Sequence, residues 1–228
     1  MVASLDSFLV AHWTMNDNAA NSTVLDSSGN NYNGTFYSDV NSNTSAHSVA
    51  GVIGRALSFD GVGDYIDTGQ IFQSIFRDSF SVSLLVKINA FIGADENLFA
   101  VADEQGVNVV ECWWSAYYSK LLFNYANPSG NVSLITSALQ SGVWYHIVFI
   151  VKNNGTTATA TLYLNNVMVG TDTETVTMSS YTSSDNVLLG CYRGVELLNG
   201  ILDDVRLYNK ALSVAEINYL WDNGQGKQ

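Results

Sequence analysis

Phe59-Asp60-Gly61-Val62-Gly63-Asp64-Tyr65-Ile66-Asp67 sets two short apolar segments, Ala56 to Phe59 and Tyr65 to Ile66, on either side of Asp60-Gly61 and Gly63-Asp64. Glycine reaches positive φ without a Cβ penalty and aspartate favours turns, so the stretch predicts two short strands joined tightly. An aromatic on each side, Phe59 and Tyr65, suits a point where one strand leaves a sheet and the next begins. Far downstream, Gly200-Ile201-Leu202-Asp203-Asp204-Val205-Arg206-Leu207-Tyr208 reads as a closing strand.

Outward from that turn, β signals dominate. Phe80, Val82, Leu84, Val86 and Ile88 alternate with Ser81, Ser83 and Lys87, the period of a half-buried antiparallel strand. Further strands are expected at 10–14, 33–36, 98–102, 107–114, 120–125, 132–135, 144–152, 157–164, 167–171 and 187–189. Asn165-Asn166 separates two of them, and because asparagine tolerates the left-handed region this pair predicts a type I′ hairpin. Near the end, Ser213 and Glu216 form a capping box, Ile217, Leu220 and Trp221 supply an apolar face, and Gly224 marks a stop. These elements predict an all-β chain of two packed antiparallel sheets with one short C-terminal helix docked on the sandwich.

Length and composition bound the function. No Pro- or Gly-rich linker divides the 228 residues, so one domain is expected over 1–228, with 1–8 as an extension and 222–228 as a tail. Hydrophobic content of 47% against 13% charged residues excludes intrinsic disorder, and no apolar run approaches a membrane span. Nine basic against 21 acidic residues give a formal charge of −12, which repels phosphate backbones and anionic surfaces, so neither nucleic-acid binding nor membrane insertion is expected. Met1 to Phe8 carries neither the basic nor the apolar region of a signal peptide. Cys112 and Cys191 lack C-x-x-C spacing and read as buried thiols or, if their strands are neighbours, as one bridge.

Seven blocks, in order, carry a family resemblance: His12 to Met15, Asp26 to Thr35, Gly54 to Gly61 running into Asp64-Tyr65-Ile66, the Phe80 strand, Trp144 to Val148, Leu162 to Asn165, and Gly200 to Ile217. Together they span nearly the whole chain. The chain resembles a laminin-G-like (LamG-like jelly-roll) member of the concanavalin A-like lectin/glucanase superfamily. The resemblance implies a jelly-roll sandwich serving as a non-catalytic glycan-binding or adhesive module, frequently stabilised by one Ca²⁺. The protein is expected outside the cell or on a virion or cell surface, with a glycan or another surface protein as partner.

For calcium, the loop Asp26-Ser27-Ser28-Gly29-Asn30-Asn31 can aim oxygens at a hard cation, with Asp26 and Asp203 as carboxylates and Asn31 as a carbonyl ligand. The alternative is an Asx turn at Asp26 and an ion pair between Asp203 and Arg206 or another cation. For a ligand, Trp113 and Trp114 point to opposite faces; Trp114, with Tyr117 and Tyr118 in the following loop, could form a platform for a sugar ring. Tyr192 and Arg193 are a second loop candidate, and the alternative is that all four aromatics from Trp113 to Tyr118 fill the core or cover a sheet edge.

Catalysis is not expected. A retaining glycosidase needs two carboxyl groups roughly 5 to 5.5 Å apart, and no run of the kind Glu-x-Asp-x-x-Glu exists here: Asp203 and Asp204 are adjacent and point to opposite faces, and Glu104 and Glu111 lack an acidic partner two residues on. His12, His47 and His146 show neither a nucleophile motif nor metal spacing, and His12 and His146 read as structural. Two other readings stay open: a structural or decoration protein of a virion or surface layer, assembled into a larger particle, and an unusual glycan-cleaving enzyme.

Overall fold

The computed structural model describes residues 5–221 apart from 104 and 137. The tail at 222–228, the expected stop at Gly224, and Glu104 lie outside the described residues. In chain order the elements begin with β1 (Leu9–Trp13), β2 (Thr23–Val24), β3 (Gly34–Tyr37), α1 (Thr44–His47), β4 (Ser48–Ala50), β5 (Arg55–Asp60), β6 (Tyr65–Asp67) and α2 (Gln73–Phe76). Next come β7 (Phe80–Ile88), β8 (Glu96–Ala102), β9 (Val109–Ser115), β10 (Lys120–Asn127), β11 (Gly130–Ile135) and β12 (Trp144–Asn153). The chain closes with β13 (Ala158–Leu164), β14 (Val167–Glu174), β15 (Leu188–Leu189), β16 (Asn199–Tyr208) and α3 (Val214–Trp221).

Two antiparallel sheets result, as the alternation predicts. The first runs β14-β13-β12-β7-β16-β5-β4 with β1 also on β16; the second runs β11-β10-β9-β8-β15-β6-β3-β2. The opening stretch therefore does what its turn chemistry suggests: β5 ends in the first sheet, Gly61 turns at φ 80°, and β6 begins in the second. Between the sheets, Phe123 of β10 stacks on Phe149 of β12 at 4.7 Å and Phe99 of β8 meets the same ring at 5.5 Å. Each such fully buried ring contributes roughly 1.5–3 kcal/mol.

Local signals hold where the chemistry is local. Asn165 and Asn166 both sit at positive φ, 49° and 67°, closing the β13–β14 hairpin. The capping box forms: Ser213 N–H donates to Glu216 Oε2 at 2.8 Å and Lys210 Nζ reaches Glu216 Oε1 at 2.7 Å. Cys112 and Cys191 are separate buried thiols, and burial raises both well above the ordinary thiol range.

One reading needs correcting. β7 is not half-buried: every residue except Lys87 is buried, because α3 and its approach cover the outer face of the first sheet. Leu212, Ile217 and Leu220 pack there on Val148, Ile150 and Tyr208. The serines that looked solvent-facing are instead bonded, Ser81 Oγ donating to the Lys210 carbonyl and Ser83 Oγ meeting His146 Nε2 at 2.8 Å. The helices α1 and α2, one turn each, were not anticipated either; four residues carry no amphipathic period.

Candidate functional site

The outward face of the second sheet gathers polar and aromatic side chains around β8 and β9. Along β9, Val110, Cys112 and Trp114 point into the core, so Glu111 and Trp113 project outward. Trp113 pairs in register with Asn97 of β8 and Leu122 of β10. The Asn97 amide is the hub: its Nδ2 donates to Glu111 Oε1 at 2.7 Å and to Glu196 Oε2 at 3.1 Å. Its Oδ1 is buried without a hydrogen-bond partner.

Glu196 arrives from the β15–β16 connection. There Tyr192 and Val195 exchange both backbone hydrogen bonds at 2.8 Å, and Arg193 and Gly194 take positive φ at 51° and 77°, a type I′ turn. Glu196 itself sits at φ 52°, a left-handed non-glycine residue of the kind that collects at functional sites. Its backbone carbonyl accepts Asn97 N–H at 2.9 Å, which fastens the loop to β8. Tyr192 is half-buried and Arg193 exposed.

Electrostatics follow from this crowding. Burial, opposed by the Asn97 hydrogen bond and reinforced by the charges of Glu196 and Asp95, pushes Glu111 up to about 7. Burial likewise raises Glu196 against Asn97, and raises the Tyr192 phenol, with Glu111 adding to it. An acid whose folded pKa exceeds its unfolded value is stabilising below the unfolded value and loses that contribution as pH climbs through the folded one. His146 acts in the opposite sense below its ordinary 6.5, since burial lowers it to about 4. The difference between Glu111→Gln and the parent chain isolates the carboxyl: the variant should gain urea midpoint relative to the parent as pH rises from 5 to 8. A constant difference across that range would refute the assignment.

The candidate residues fall as follows. Trp114 is corrected: it is 4% exposed and stacks on Phe91 at 4.1 Å, so its indole offers no open face, and the outward tryptophan is Trp113. Tyr117 and Tyr118, in the turn between β9 and β10, are 86% and 50% exposed and meet edge to face at 4.8 Å. That turn is braced by Asp95, which accepts Ala116 N–H at 2.7 Å. Period-2 reading anchored on Val110 and Cys112 would have chosen Trp113; Asn97 and Glu196 carry no such signal, being 99 residues apart.

Around the calcium candidates, Asp26 lies at the centre of an Asx turn. Its Oδ1 accepts His12 and Ser28 N–H at 2.8 and 2.9 Å, and its Oδ2 accepts the Ser28 hydroxyl and Tyr32 N–H at 2.8 and 2.9 Å. Burial opposes ionisation there, but those donors hold the carboxyl below the usual range. Asn31 turns the loop at φ 60°. Asp203 is fully buried; its Oδ2 accepts Val52 and Ile53 N–H at 2.7 and 2.9 Å, Oδ1 has no partner, and burial pushes it to about 7. The cation Arg206 belongs to Asp204 and not to Asp203, because β16 bulges between Asp203 and Arg206 with Asp204 at φ 52°. His12, Thr14, Asn16, Ile53 and Asp204 line a cavity of about 350 Å³ there.

The laminin G-type family profile described as the concanavalin A-like lectin/glucanases superfamily matches residues 60–218. No curated protein sequence matches the chain. Among solved structures, the binding domain of Paraclostridial Mosquitocidal Protein 1 superposes with a TM-score of 0.69 at 17% identity, covering 97% of this chain and 53% of that one. Botulinum neurotoxin type C, whose cell entry is described as dependent upon interaction with two ganglioside molecules, gives 0.69 at 13%, covering 100% and 53%. Trypanosoma rangeli sialidase in complex with the inhibitor DANA gives 0.65 at 13%, covering 96% and 34%. The chain thus spans about half the length of the toxin chains and a third of the sialidase, and identities this low establish the fold alone. Among the described residues no helix is long and apolar enough to cross a membrane.

Proposed function

The chain belongs to the concanavalin A-like lectin/glucanase superfamily, and from that membership we propose that it is a non-catalytic, lectin-like module that binds carbohydrate or mediates adhesion at an extracellular, cell or virion surface. One observation carries this reading: the outward face of the second sheet combines Trp113 and Tyr192, each half-buried, with the carboxylates of Glu111 and Glu196 on the Asn97 amide. Flat aromatic bodies accept the apolar face of a pyranose, and carboxylates and amides accept and donate to its hydroxyls. Tyr117 and Tyr118 extend the surface at the rim, and Arg193 adds a positive charge for acidic sugars. The ganglioside interaction of the structurally similar neurotoxin is consistent with such a ligand.

Screening against a glycan array at protein concentrations that detect millimolar affinity should yield binders. Tyr192→Ala and Trp113→Ala should each weaken them about tenfold, the worth of one lost aromatic contact. An array without binders would remove the reading. Calcium stabilisation through Asp26, Asn31 and Asp203 belongs to the same proposal; it is supported at Asp203 Oδ1, a buried oxygen without a partner, while Asp26 is already held by four donors.

A second reading, glycan cleavage, is favoured by one fact that no strand motif announced: Glu111 and Glu196 share a single amide nitrogen and are both raised by burial. In that chemistry Glu111 would protonate the leaving oxygen and Glu196 would serve as the second carboxylate. New reducing ends from polysaccharides, absent with Glu111→Gln, would favour it over binding alone. The decoration-protein reading predicts instead assembly into particles, visible as mass by size exclusion.

A further inference from the structure

The turn that decides the fold also brings three carboxylates together. Asp39 follows β3, Asp60 ends β5 and Asp64 precedes β6, and one oxygen from each lies within 4.8 Å of the others. Asp39 and Asp60 are exposed, whereas Asp64 is 1% exposed. Asp64 Oδ2 accepts Asp60 N–H at 3.0 Å and faces His47 Nδ1 at 3.3 Å. Burial nonetheless raises its pKa, outweighing these and the Ser38 hydroxyl, which also favours the charged carboxyl, and Oδ1 is buried with no well-formed hydrogen bond. Among the described residues no Lys or Arg pairs with any of the three. An unpartnered buried carboxylate oxygen beside two further carboxylates is costly unless a cation completes it.

Backbone geometry keeps the group closed. Asp60 Oδ1 accepts Val62 N–H at 2.8 Å and Gly63 N–H at 3.3 Å, which holds the turn around its carboxylate. At Gly63 a Cβ would stand 2.8 Å from Asp39 Cβ and 3.0 Å from its Cγ, so only glycine lets Asp39 approach. Calcium binds oxygens at about 2.3 to 2.6 Å, so two oxygens on one ion can be nearly 5 Å apart, which matches the spread here.

We propose that Asp39, Asp60 and Asp64 hold one hard divalent cation of the calcium type, with water completing its coordination. The site is separate from Asp26, Asn31 and Asp203 and from the outward face of the second sheet. Its cation would clip the passage from the first sheet to the second, where β5 gives way to β6, and would tie the segment after β3 to it.

The test uses the full chain, stripped with a chelator and titrated with CaCl₂ alone, read by melting temperature. Calcium at a hundredfold excess over its Kd should raise the melting temperature by about 5 °C. Asp39→Asn and Asp60→Asn, at exposed positions, should each cut the rise to what the Asp26, Asn31 and Asp203 site contributes, a remainder that a further Asp26→Asn removes, while melting no lower than the stripped parent, because each also removes carboxylate repulsion. Terbium, another hard oxygen-seeking cation, should luminesce on tyrosine excitation in the parent, since Tyr65 adjoins Asp64 and stacks on Tyr37 at 4.9 Å, and both variants should lose the part of that emission which Asp26→Asn leaves intact. No calcium response in the parent, or an undiminished response in either variant, would overturn the proposal. No glycan enters the experiment, so it stands or falls apart from the carbohydrate reading.

Discussion

Asp204→Ala is expected to destabilise the protein by about 3 kcal/mol or more, the usual consequence of removing one partner from a buried ion pair. Asp204 and Arg206 are 7% and 6% exposed, and Asp204 Oδ1 receives Arg206 Nη2 at 2.9 Å, Arg206 Nε at 3.2 Å and His12 Nε2 at 2.7 Å. Without the carboxylate, the nearly buried guanidinium loses its counter-charge. Backbone adds to the loss. Asp204 sits at φ 52°, where aspartate is better tolerated than alanine. Asp204→Asn, which keeps the shape and an acceptor, should lose less. Urea unfolding of the three chains measures this, and a loss below about 1 kcal/mol for the alanine variant would mean that the pair is not the buried clamp described.

Phe59→Ala should cost about 3–5 kcal/mol, the range for removing a fully buried aromatic ring. The ring lies at the crossing between sheets, 5.5 Å from Phe36, and Gly190 packs so closely on it that a Cβ there would stand 2.8 Å from the ring carbons. Phe36 on β3 and Gly190 just after β15 both belong to the second sheet, whose paired strands keep them from collapsing across to β5, so most of the cavity should persist. The expected signature is a lower urea midpoint with an unchanged slope. A cost near that of a surface substitution would show that the opening stretch is not anchored through this ring.

How much of this was legible follows from the range of each signal. The Asn165-Asn166 turn and the Ser213–Glu216 box depend on atoms a few residues apart, and both form as the chain alone predicts. The strand over Phe80 to Ile88 was legible as a strand, but its burial on both faces was not, because the cover comes from Leu212, Ile217 and Leu220 at the far end of the chain. Exposure at β9 turned on which tryptophan shares the parity of Val110 and Cys112. Asp203 and Asp204 were readable as neighbours, yet a bulge decides that Arg206 pairs with the second of them.

From its sequence alone, then, this protein was determined as a two-sheet antiparallel sandwich, because alternation, turn residues and capping are short-range and repeat along the chain, while its concanavalin A-like type rested on the resemblance of seven ordered blocks. Tertiary structure alone decided which side chains meet: Glu111 with Glu196 on Asn97, Asp204 with His12 and Arg206, and Asp39 with Asp60 and Asp64. The physical reason is that such meetings depend on sheet order and register, which emerge only when the two faces are buried against each other.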